Sequence, residues 1–233
     1  MSNNFQSFRF TFEEVCPDVE EIQKFLQSSE LTDQHPANLY ILEVLPLLHV
    51  NSDICGGYSI QSVQSIDAKE GIAVIKNTVL NIGTQVSGYI KEATKMALFL
   101  CTAGDEFIRL SNLLNEKGDY MEAYIVDAIG SLTVEKAMDK IQEKLRLSFL
   151  DEDLKMSQRY SPGYCNWALS EQETLFRLIG DNPTGISLSK SCLMTPIKSV
   201  SGIIGIGKRI KQHEYGCKIC QNATCIYRKI LHD

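Results

Sequence analysis

From Gly118-Asp119 to about Phe149 the chain holds no proline and one interior glycine, Gly130, and its apolar residues recur at helical spacing. That stretch predicts one long helix capped at its start by Gly118-Asp119, the dominant element of whatever the chain builds. Around it the pattern changes period. Residues 71–76 (GIAVIK) and 95–102 (KMALFLCT) are β-branched or apolar runs of strand length, residues 59–64 alternate loosely, and GISLSKSCLM (185–194) and IKSVSGIIGIG (197–207) alternate as strands do. Shorter helices are expected at 16–28, where Pro17 and the acids after it suit a first turn, and at 36–49, 83–94, 105–115 and 170–179. No internal repeat or convincing linker precedes residue 207. The expectation is one α+β domain over residues 1–206 and a distinct tail over 207–233.

The tail differs in charge and in cysteine content. Six basic residues against Glu214 and Asp233 give residues 207–233 a balance of +4, which leaves −10 for the rest of a chain whose net charge is −6. Cys217, Cys220 and Cys225 fall within it, whereas Cys16, Cys55, Cys101, Cys165 and Cys192 are scattered. A C-x2-C turn lets two thiolates converge on one ion, and a third cysteine nearby can close three corners of a tetrahedral zinc or iron–sulfur site. The flanking Lys218, Arg228 and Lys229 would favour thiolates. Unliganded cysteines are the alternative. For the fourth corner the chain offers Cys192, Cys165 or His213, Cys192 being the least improbable of them, or an exogenous group.

Two further constellations stand out. Met121, Ile125, Ala128 and Leu132 form a helical stripe that Glu135 continues. Either the stripe reaches solvent at Glu135, or a half-buried carboxylate meets a cation or a ligand there. In Arg159-Tyr-Ser-Pro-Gly-Tyr164, Pro162-Gly163 signals a turn in which glycine can take positive φ and expose backbone N–H groups, and Arg159 offers a planar fork for a carboxylate. A structural turn accounts for the same residues. The glycines at 202, 205 and 207 have neither dinucleotide-fold nor P-loop spacing and suit a strand, and Asp33 before Pro36 suits a helix N-cap.

Apolar residues at 44% and charged ones at 22% exclude a disordered chain, and no apolar run approaches the roughly 20 residues a membrane helix needs. The N-terminal stretch lacks a basic segment followed by an apolar one, so a reducing cytoplasm is expected for the cysteines.

The stretch RYSPGY, followed by a helix and then GISLSKSCLMTPIKSVSG, resembles the activation domain of vitamin B12 (cobalamin)-dependent methionine synthase. The shared pattern is an R-x-x-x-G-Y motif and a later segment matched at Gly185, Leu188, Ser191, Met194, Pro196, Ser199, Val200, Ser201 and Gly202. Upstream, TAGDEF, GDY and VEKAM fall in the family's order, so the resemblance runs from about residue 97 to 202. It implies a bent, mainly antiparallel sheet flanked by helices. It also implies a site for S-adenosylmethionine (SAM) in which Arg159 holds the carboxylate, Ser161, Gly163 and Tyr164 line the ligand, and Glu135 contacts it.

The implied role is reductive remethylation of cob(II)alamin, with the chain acting in trans on a cobalamin-binding methionine synthase, since nothing in it resembles the family's folate, homocysteine or cobalamin modules. An electron donor such as flavodoxin or ferredoxin would be required, and an iron–sulfur cluster on the tail cysteines could relay the electron. The family's aromatic loop after V-S-G is replaced here by the cysteine-bearing tail. Two alternatives stand beside this: an activator of another corrinoid methyltransferase, and a zinc-stapled interaction module whose basic tail docks an acidic partner, with nucleic acid the weaker candidate.

Overall fold

The computed structural model describes residues 5–26, 34–49, 53–149 and 152–211. In chain order it contains β1 (Phe5–Phe10), α1 (Phe12–Val15), α2 (Val19–Phe25), α3 (Pro36–Val44), a 3-10 turn (Leu45–His49), β2 (Ile54–Asp67), β3 (Ile72–Ile75) and β4 (Thr78–Asn81). There follow α4 (Gly83–Ile90), β5 (Lys95–Thr102), α5 (Glu106–Lys117), α6 (Tyr120–Leu147), β6 (Lys155–Tyr160), α7 (Gln172–Ile179), β7 (Ser187–Leu188), β8 (Met194–Thr195) and β9 (Ser199–Gly207).

The main sheet has the order β4-β3-β2-β5-β9-β6, with β1 also on β2, and its pairs are antiparallel. The 14-residue β2 makes the bend. Its first part lies between β1 and β5, and at a register irregularity between Val63 and Ser65 it leaves β5 and pairs with β3. The expected α+β architecture of a bent antiparallel sheet flanked by helices is therefore present.

β5 reads as an unbroken apolar run because both its faces are covered. Ala97, Phe99 and Cys101 join the core under α6, while Met96, Leu98 and Leu100 join a second core with Ile90 of α4, Leu175 of α7 and Trp167. Burial pushes the Cys101 thiol well above its ordinary pKa, so it is a core residue rather than a reactive one. Helix α6 lies close to this sheet because Gly56 of β2 has no side chain; a Cβ there would stand 2.7 Å from Ile141 Cδ1. Gly130, the helix's interior glycine, admits α5 in the same way, since its Cβ would stand 2.7 Å from that of Phe107. Packing thus explains a residue that costs an isolated helix about 1 kcal/mol.

Several sequence expectations shift. Helix α2 starts at Val19, after Cys16-Pro17, with Asp18 as a cap that accepts from the Glu21 N–H at 2.8 Å. The cap of α3 is His35, whose ring accepts from the Ala37 N–H at 3.2 Å with Pro36 in the first turn, and Asp33 lies outside the described residues. Gly118 ends α5 in a left-handed conformation and Asp119 precedes α6, so the expected break falls between two helices. The alternating GISLSKSCLM forms only the short β7–β8 hairpin, off the main sheet. The strands β1, β4 and β6 are additional: β1 carries three phenylalanines but lies at the chain's start on the edge of β2, and β6 is a mainly polar edge strand without a strong apolar signal. Among the described residues no helix is long and apolar enough to cross a membrane. Cys217, Cys220 and Cys225 lie outside those residues.

Candidate functional site

The edge strand β6 aims Arg159 at α6, and a bulge makes that possible. Met156 pairs with Ile206 and Arg159 with Ile204, so three steps on β6 match two on β9. Without the extra residue, Arg159 would face away from Met156, because strand side chains alternate; with it, both face the α6 core. Ser157 fills the irregularity by accepting the Gly205 N–H at 2.9 Å. The next residue, Tyr160, turns to the opposite face and stacks on Tyr89 of α4 with ring centroids 5.8 Å apart. This anchors the strand end that carries Arg159.

The Arg159 guanidinium donates to Glu135 Oε2 at 3.1 Å through Nη2 and to Asp139 Oδ1 at 2.7 Å through Nη1. Its side chain is 15% exposed, that of Glu135 30% and that of Asp139 65%. Glu135 is therefore half-buried against a cation, rather than the exposed end of an apolar stripe. Met121, the supposed start of that stripe, is itself exposed. The row that matters is polar and spaced by four: Asp127, Ser131, Glu135 and Asp139. At its N-terminal end Lys198, just before β9, reaches Asp127 Oδ1 at 2.8 Å and Ser131 Oγ at 2.9 Å. Three carboxylates thus meet two cations along roughly 18 Å of helix, and the row has a net acidic balance.

The turn after β6 is internally braced. Gly163 N–H donates to the Trp167 carbonyl at 2.8 Å, Tyr164 N–H to Ser161 at 3.2 Å, and Trp167 N–H to Tyr164 at 2.9 Å. The expected exposed N–H groups at Gly163 and Tyr164 are thus used within the turn. The expected positive φ of Gly163 is present, at 92°. Backbone conformation demands glycine there, since the closest atom to an added Cβ is 3.5 Å away. Cys165 and Asn166 are also left-handed, and the buried Trp167 packs beneath. Tyr164 presents its ring outward, about half exposed.

The structure brings Arg159 and Glu135 into direct contact and continues from Arg159 into Ser161, Gly163 and Tyr164. Asp139, Asp127, Ser131 and Lys198 are additions. For the three on α6 the signal is their i, i+4 polar spacing, which borders the apolar line; Lys198, just before β9, has no local signal of its own. Cys192 is a partly exposed free thiol in the loop between β7 and β8. Among the described residues no group of three or more His, Cys, Asp or Glu side chains could hold a metal ion.

Residues 82–228, from the start of α4 through the polar row, the Arg159 turn and β9, match the family model for the activation domain of vitamin B12-dependent methionine synthase. The chain belongs to that family. A crystal structure of the MetH reactivation domain bound to AdoHcy has the same fold: TM-score 0.61, 14% identity, covering 91% of this chain and 80% of that one. Its match extends the activation-domain fold beyond the residues of the family model. Among curated proteins no sequence matches.

Proposed function

We propose that this activation domain binds SAM along α6 beside Arg159 and supports the reductive remethylation of a cobalamin carried by a separate methionine synthase. The observation that carries it is the Arg159–Glu135 contact, which joins the R-x-x-x-G-Y strand end to the helix residue that the family resemblance assigns to the same ligand. The donor set fits. A guanidinium fork takes a carboxylate, Glu135 takes an ammonium or ribose hydroxyls, and the Tyr164 ring offers a flat face. The acidic balance of the row suits SAM, whose sulfonium and ammonium outweigh its one carboxylate. SAM supplies the methyl group, which leaves S-adenosylhomocysteine once an electron from outside the domain has reduced the cobalamin. The residues of this chain hold and orient the amino-acid end of the donor. Ser161 and Gly163 shape the turn against which it lies, and the AdoHcy bound to the reactivation-domain neighbour agrees with this ligand class.

The test is reactivation in trans. The purified chain is mixed with a cobalamin-loaded methionine synthase lacking its own activation domain, together with a low-potential reductant such as reduced flavodoxin or ferredoxin. Methylcobalamin, followed by its visible spectrum, is expected to form only with both SAM and this chain present. A yield independent of the chain contradicts the proposal.

Glu135→Gln keeps the volume and loses the charge. It is expected to weaken SAM binding about 10- to 150-fold, the range for one hydrogen bond to a charged group, with the melting temperature nearly unchanged. Unaltered affinity in calorimetric titration would return Glu135 to a structural ion pair.

We further propose that Cys217, Cys220 and Cys225 hold an iron–sulfur cluster, with Cys192 as fourth ligand, that passes the electron; zinc is the alternative and has no redox chemistry. The spacing and the low potential that cob(II)alamin reduction needs support this. Anaerobically isolated protein is expected to contain iron and, after dithionite reduction, to give a low-temperature paramagnetic signal. Stoichiometric zinc with a silent spectrum rejects the relay.

A further inference from the structure

Arg159 already holds two carboxylates, and a SAM carboxylate would be a third anion at one cation. An end-on fork needs N–H groups on both Nη1 and Nη2. Nη1 donates to Asp139 at 2.7 Å and Nη2 to Glu135 at 3.1 Å. The two acids are not equivalent. Glu135 is the more buried at 30% exposure, whereas Asp139, one turn further along α6 at 65%, can hand its oxygens to water at little cost.

We propose that Asp139 is a built-in competitor for the ligand's carboxylate: it occupies the Nη1 side of Arg159, yields it when the ligand's α-carboxylate binds, and so sets both the affinity and the preference for carboxylate-bearing ligands. This rests on the reading of Arg159 as the carboxylate holder. Each terminal nitrogen carries two N–H groups, so Glu135 keeps one on Nη2 while the ligand takes the other, and the exposed Asp139, repelled by the incoming carboxylate, is the one that leaves; the exchange moves one surface side chain and leaves the β6 strand in place. No covalent step is involved.

The experiment is calorimetric titration of the full chain and of its Asp139→Asn and Asp139→Ala variants with SAM and with decarboxylated SAM, which keeps the sulfonium and amine but lacks the carboxylate. Both variants are expected to bind SAM about two- to fivefold more tightly, the range an exposed ion pair is worth, and decarboxylated SAM no more tightly than before. Two ligands separate competition from structure, because a residue that merely shapes the helix surface would shift both affinities alike. Equal changes for the two ligands, unchanged SAM affinity, or weaker SAM binding in the variants would each overturn the proposal; the last would mark Asp139 as a clamp that orients Arg159. If the unaltered chain binds neither ligand, it is the SAM-binding function itself that fails.

Discussion

Replacing Arg159 with alanine is expected to weaken SAM binding by about 30- to 1,000-fold, equivalent to roughly 2 to 4 kcal/mol. A charge-assisted, two-point pair with a carboxylate is lost, and Glu135 and Asp139 are left without their shared cation on adjacent turns of α6. Both effects oppose a ligand that enters carboxylate first. Arg159→Lys keeps the charge and loses the fork, so it should fall between the two. The fold supplies a convenient reporter: Trp167, the single tryptophan, is buried three residues beyond Tyr164 in the same braced turn. Its emission should respond to SAM in the unaltered protein and not in Arg159→Ala at the same concentration. Melting temperatures within a few degrees would show that binding, rather than folding, has been removed.

Gly202→Ala should unfold the protein more readily than any other single methyl added to β9. A Cβ there would stand 2.2 Å from the Tyr160 carbonyl oxygen and 2.7 Å from the Phe99 ring, so backbone and a fully buried aromatic would both have to move. Overpacking of this severity belongs at the upper end of the usual range, about 3 kcal/mol, or some 6 to 12 °C in melting temperature for a chain of this size. The displaced residue is the neighbour of Arg159, so SAM affinity should fall as well. Gly88→Ala is the control. Nothing lies within 4 Å of a Cβ at that helical position, and the change should be neutral or slightly stabilising in thermal melts. A Gly202→Ala protein as stable as this control would show that β9 and β6 do not approach each other as closely as described.

Elements buried on two sides were the ones legible from pattern. The helix α6 and the strands β5 and β9 carry apolar residues on nearly every position the core touches, and their period survives in the sequence. Strand β6 does not, because KMSQRY is an edge whose polar side chains serve a bulge and an ion-pair row rather than a core. That is why Arg159 reads as part of a turn when it sits on a strand. Its contact with Glu135 spans 24 residues, and no local rule connects them; the family resemblance did. Asp139 illustrates a different miss. The four-residue spacing from Asp127 to Asp139 is plain on a helical projection, but hydrophobic periodicity directs attention to the face that packs, and this row borders it. The glycines of β9 were legible as strand glycines, though only the neighbours reveal why each is needed: Gly205 faces Ile90 and Gly207 faces the Glu92 carbonyl, at 2.9 and 2.5 Å from an added Cβ.

If Arg159 and Glu135 form the floor of a SAM site, titration of the purified chain with SAM, by calorimetry with Trp167 emission in parallel, will show it. Saturable binding of one SAM per chain is expected, lost or severely weakened in Arg159→Ala and weakened to a lesser degree in Glu135→Gln. No binding by the unaltered chain, or binding indifferent to Arg159, would mean that these residues do not form a SAM site.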